Sequence, residues 1–185
     1  MASKIGLISH ALILIGDLPI TSHTGNSRAQ VVANNLYDNI VQNELTKYRL
    51  GFARKKAQLN KDATAIVGTE WSDKYTLPSD LLTLIKLNPN QPYQIIENKV
   101  YINHSGDLYC DYIANVSESL FPAYFSKMIE YALARDFAMS IRDNATTKQI
   151  MAEEYINASR MARYTDSQQH PITPIQSRPF LDVRY

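Results

Sequence analysis

The sequence predicts an α+β protein: a four-helix bundle, a small antiparallel β-sheet inserted between helices two and three, and an extended C-terminal arm. Three observations predict it. Apolar residues recur at helical spacing before residue 50 and again after residue 117. Between them the pattern changes to short runs of Tyr, Ile, Val and Thr punctuated by Gly68, Pro78, Pro89, Pro92 and Gly106. At the end, Pro171, Pro174 and Pro179 forbid a helix, yet Ile172, Ile175, Phe180, Leu181, Val183 and Tyr185 make the stretch too apolar for an inert tail.

The first helix is expected over 4–18, with Ile5, Ile8, Leu12 and Ile15 on one face and Gly16 and Pro19 to end it. Asn26 or Ser27 can cap a second over 27–49, where Ala33, Leu36, Tyr37, Ile40, Val41, Glu44 and Tyr48 follow helical spacing. The β region spans 52–113. Its most legible part, YQIIENKVYINHSGDLYCDYI, reads as a three-stranded meander turning at Asn98-Lys99 and at Ser105-Gly106-Asp107. Around Lys61-Asp62 the pattern is weaker, and either a loop or a long irregular strand pair fits. A third helix is expected over 118–142, with Pro122 in its first turn and Phe125, Ile129, Leu133 and Phe137 marking it as the core helix. A fourth covers 145–164 after the Asp143-Asn144 break. Residues 1–165 then form the body and 166–185 the arm.

The bulk numbers exclude several function classes. A chain of 185 residues supports one core. With 19 basic against 18 acidic side chains its net charge is +1, so no global field drives binding to DNA or anionic lipid. The longest apolar run, ALILIG at 11–16, is far short of a membrane span and lacks a signal-peptide layout, so assembly in a reducing cytoplasm without membrane contact is expected. Cys110 is the sole cysteine, which rules out an internal disulfide and a cysteine-based zinc site.

Catalytic chemistry is sparse. His10, His23, His104 and His170 lie in different elements without ligand spacing, so no metal is expected. No nucleotide-binding or serine-nucleophile motif occurs, and no cofactor is expected. Glu153 and Glu154 read as a solvated helix face. Arg54, Lys55 and Lys56, with Lys61 nearby, form the one basic cluster, most simply a single solvated strand face. Trp71 suits core packing or an interface anchor. Arg135 and Asp136 interrupt the apolar third helix, so each must reach solvent or pair across a bundle or subunit boundary. Trp71, Arg54, Lys55, Lys56, Arg135 and Asp136 are thus candidate subunit-interface residues. Ordering a twenty-residue arm costs about 20 to 40 kcal/mol, more than six apolar side chains return at about 2 each, so the arm should dock on a partner rather than on its own body.

The order of local motifs completes the reading. The helix end Ile15-Gly16-Asp17-Leu18-Pro19-Ile20, the TLPSDLLTLIKL segment at 76–87, the tyrosine-rich meander, and the late helices PAYFSKMIEYALARDFAMSI and KQIMAEEYINASRMARYTDSQQ resemble the tail tubular protein A family. These are head-to-tail adaptors of short-tailed bacteriophages. The resemblance spans nearly the whole chain and implies a non-enzymatic virion protein at the head-tail junction. It implies a dodecameric ring that binds the portal protein, extends the DNA channel for genome ejection, and offers its far side to a tubular protein B-like nozzle and to fibres or spikes. DNA would pass without specific binding. The arm would be the portal contact, with Ile172, Ile175, Phe180 and Tyr185 as buried anchors and Arg178 and Arg184 as charge-assisted contacts. Two other classes are weighed against it: a tail-associated cell-wall hydrolase using Glu118, Glu153 or Glu154 as general acid, and a DNA-binding module using Arg54, Lys55 and Lys56.

Overall fold

Ser3 opens the first helix by accepting the N–H of Gly6 at 3.1 Å in the computed structural model, which describes residues 2–22, 25–64, 66 and 70–169. Helix α1 (Lys4–Leu14) buries Leu7, Ile8, Ala11 and Leu12. It stops four residues before the expected end, because Gly16 adopts φ 74° and the chain folds back onto the carbonyls of Leu12 and Ile13. Ser27 and Gln30 form a reciprocal capping box at the start of α2 (Arg28–Lys47). One face of α2 is buried, from Ala33 through Tyr37, Ile40, Val41 and Glu44 to Leu45.

A short 3₁₀ turn at Gly51–Ala53 delivers the chain into the sheet, whose strands are β1 (Arg54–Lys61), β2 (Asp73–Thr76), β3 (Leu81–Asn88), β4 (Tyr93–Ile96), β5 (Lys99–Ile102) and β6 (Leu108–Ala114). All six join one antiparallel sheet in the order β3-β6-β1-β2-β5-β4. The sheet is therefore larger than the one expected. The meander is corrected too: β4 and β5 form a hairpin, but β6 leaves them to pair with β1 and β3. The hairpin turn is Glu97-Asn98 rather than Asn98-Lys99. Both central residues have positive φ, 49° and 61°, as a type I′ hairpin turn requires, and Lys99 begins the next strand. Lys61 is not in a loop; it ends β1 opposite Tyr75.

The third helix starts later than expected. Residues Glu118–Leu120 form a separate 3₁₀ turn, and Pro122, in extended conformation, is the N-cap of α3 (Ala123–Ser140) rather than part of its first turn. Asn144 caps α4 (Ala145–Gln168) by accepting the N–H of Thr147 at 3.0 Å. This helix runs past Tyr164 and takes in Asp166, Ser167 and Gln168, so the expected arm boundary at 166 falls inside it. Helix α3 is the hub, packed against α4, α1 and α2. A cluster of Phe52, Phe121, Tyr124 and Phe125, with ring centroids as close as 4.8 Å, joins the sheet's entry turn to α3. Among the described residues no helix is long and apolar enough to cross a membrane.

Candidate interaction surfaces

Strand alternation sends the side chains of β1 to opposite faces of the sheet, so the basic run is not the single strand face that its sequence suggests. Lys55 lies on the same face as Leu59, in register with Tyr112, and its ammonium meets Asp80 at 2.7 Å. The hydroxyl of Tyr112 donates to the other oxygen of Asp80 at 2.9 Å. Lys55 holds the Asp80 carboxyl below its ordinary range. Burial, reinforced by Asp80, pushes the Tyr112 phenol up to about 12.

Arg54 and Lys56 lie on the outer face, around Asp111. Register places Lys56 of β1 and Lys86 of β3 on either side of that aspartate. The guanidinium of Arg54 donates to Asp111 at 2.6 Å, while Lys86 and Lys56 stand at 3.7 and 4.0 Å. Asp111 is 6 % exposed, and the Arg54 hydrogen bond holds its carboxyl below the usual range against the opposing effect of desolvation. Asn88 and Tyr109 complete an open concavity of about 340 Å³ with Lys56, Lys86 and Asp111. Farther along the sheet, Lys61 pairs with Asp73, and Lys99 with Asp62 at 2.7 Å. Asp62 also accepts from the backbone and hydroxyl of Thr64, and these bonds with Lys99 hold its carboxyl far below the ordinary value.

Arg135 and Asp136 pair with each other, two guanidinium nitrogens donating at 2.9 and 3.1 Å. Arg135 also lies 5.0 Å over the Tyr155 ring. Together they border a polar seam between α2, α3 and α4. At its centre Glu44, 1 % exposed, accepts from the Tyr155 hydroxyl at 2.7 Å and from Lys47, which itself donates to Tyr155 at 3.0 Å. Burial raises the Tyr155 phenol, and hydrogen bonds to Glu44 and Tyr155 raise the Lys47 ammonium against its own desolvation. Trp71 is half-buried and donates its indole N–H to the Gln94 side chain at 3.1 Å, tying its loop to the outermost strand, β4. The six expected arm contacts, Ile172, Ile175, Arg178, Phe180, Arg184 and Tyr185, lie outside the described residues.

The carboxylates weighed for hydrolysis occupy separate places. Glu118, in the 3₁₀ turn before α3, accepts from the Tyr37 hydroxyl at 3.2 Å, and Glu153 and Glu154 are exposed on α4. Ile150, Met161 and Tyr164 are also exposed on α4, which buries Met151, Tyr155 and Ala162. His10 pairs with Glu130 at 2.8 Å, and no three His, Cys, Asp or Glu side chains converge to hold a metal among the described residues.

Several of these residues escape a one-dimensional reading. Asp111 and Lys86 come beside Lys56 only through strand pairing. Asp166, placed in the arm by its sequence context, is buried near the end of α4, where its oxygens accept the Gly51 N–H at 3.0 and 3.1 Å and the Tyr124 hydroxyl at 2.9 Å. No family model matches this chain, and no curated protein matches it.

Proposed function

We propose that this chain is a structural, non-enzymatic subunit of a viral head-to-tail adaptor, as the resemblance of its motif order to the tail tubular protein A family implies. Twelve copies form a ring beneath the portal, with the helices bundled into its wall, and the ring extends the DNA channel toward a nozzle and its fibres or spikes. The protein belongs to the virion, at the head-tail junction.

The observation that carries the reading is the clamp on the last turns of α4. Asp166 joins that helix to Gly51 at the sheet entrance and to Tyr124 on α3, so the end of α4 is a fixed point at the seam between sheet and helices. A docking segment needs such a root, because every degree of freedom left at its base must be frozen on binding. The exposed Met161 and Tyr164, one turn apart on α4, supply apolar surface for a neighbouring copy to cover.

The test is co-expression with the portal protein of the same virus, followed by electron microscopy. Full-length chain should form twelvefold rings on the portal. Removing residues 170–185 should abolish attachment, and alanine at Phe180 or Arg178 should weaken it most. A full-length protein that ignores the portal, or that releases fragments from purified peptidoglycan, overturns the reading.

A further inference from the structure

Apart from Lys74, which is buried on β2 beside Asp62, the lysines of the sheet fall into two groups. Lys55 and Lys99 meet carboxylates at 2.7 Å, and Lys61 is paired as closely with Asp73. Their charge is neutralised locally. Lys56 and Lys86, at 4.0 and 3.7 Å from Asp111, are too far for good hydrogen bonds. Arg54 already satisfies that aspartate at 2.6 Å. One carboxylate therefore faces three cations, and the surplus charge sits on the two lysines, whose side chains are 77 % and 61 % exposed.

Their surroundings narrow the kind of anion that fits. Register places Lys56, Asp111 and Lys86 side by side on three adjacent strands, so the two lysine Cα atoms are about 10 Å apart. In the next row of the same face, Tyr109 stands between Gln58 and Asn88 in the same register and is 44 % exposed, and the Gln58 amide donates to the Asp107 carboxylate at 3.1 Å at the border of the patch. Cations that can follow a chain of phosphates, next to an accessible aromatic ring and two carboxamides, are the elements of a single-strand nucleic-acid surface. An acidic polypeptide would use the lysines but has no base to stack on the ring.

We propose that the outer face of β1, β6 and β3 binds single-stranded nucleic acid, with Lys56 and Lys86 on successive phosphates and Tyr109 stacking on a base. This goes beyond the adaptor reading and stands without it. Two phosphate contacts give a shallow salt dependence: raising salt from about 50 to 200 mM weakens binding about sevenfold. Each copy therefore holds the strand weakly, and several copies on one strand would hold it through avidity.

The test is fluorescence anisotropy of a labelled twelve-nucleotide single strand against the full-length protein, beside the corresponding duplex and labelled poly-glutamate. The single strand should bind more tightly than either, with the expected salt response. The double variant Lys56→Glu, Lys86→Glu should lose at least about tenfold in affinity, and Tyr109→Ala about tenfold. Lys148→Glu, on exposed α4, should match the parent, and circular dichroism should show all variants folded. The proposal fails if the single strand does not bind at low salt, if the double variant or Tyr109→Ala binds as the parent does, or if duplex or poly-glutamate binds as tightly as the single strand. None of these outcomes bears on portal attachment, which the ring experiment reads separately.

Discussion

Glu44 in the helical layer and Asp111 on the sheet are both nearly removed from water, but their surroundings differ in charge balance. Glu44 meets Lys47 and the Tyr155 hydroxyl, so charge and hydrogen bonds close upon themselves inside the seam. Asp111 meets three cations, two of them beyond hydrogen-bond reach, and its cluster opens outward with charge to spare. A closed cluster fixes how helices meet. An open one has capacity left for something outside the chain.

Breaking the closed cluster should have the larger effect on stability. Lys47→Ala strands a carboxylate that is 1 % exposed, and urea unfolding should report a loss of about 3 kcal/mol or more. Tyr155→Phe removes one hydrogen bond to that charged group and should cost about 1.5 to 3 kcal/mol by the same measurement. Asp111→Asn should cost about 1 kcal/mol or less, because the cations around it can turn to solvent. The same variant should bind a single strand more tightly than the parent in the anisotropy measurement, since it removes the negative charge at the centre of the patch.

The acid limb of stability sharpens the contrast. Arg54 and Lys55 lower the folded-state values of Asp111 and Asp80 below those of the unfolded chain. Their contribution is complete above the unfolded carboxylate range, near about pH 4, and is lost as pH falls through the lower folded values. Urea midpoints recorded between neutral pH and pH 3 should fall less steeply for Asp111→Asn than for the parent. The smallest effect is expected from deleting 170–185, which should move the melting temperature by no more than about 2 °C, because Asp166 and the closed seam remain.

Periodicity located the helices because each has a distinct apolar face, from Leu7, Ile8 and Leu12 on α1 to Met151, Tyr155 and Ala162 on α4. It misjudged their ends where backbone geometry decides, as at Gly16, Pro122 and Asp166. The sheet was harder to read. A central strand such as β6 is covered on both faces from Cys110 to Ala114, so it carries no alternation to reveal which strands flank it. The same limit hid the outer patch. Arg54, Lys55 and Lys56 were legible as a basic run, but strand alternation divided them between two faces, and cross-strand pairing supplied Asp111 and Lys86.

The middle of the sheet has a mechanical consequence. Strand β1 pairs with β6 from Arg54 to Leu59, but with β2 only at Asn60 and Lys61, continued by the bond from the Asp62 N–H to the Lys74 carbonyl at 2.9 Å. Two plates, β3-β6-β1 and β2-β5-β4, thus share a narrow bridge. A torque applied to the β4-β5 hairpin reaches the rest of the molecule through that bridge and through the chain connections 77–80 and 103–107, so under force the sheet should bend between the plates while each keeps its shape.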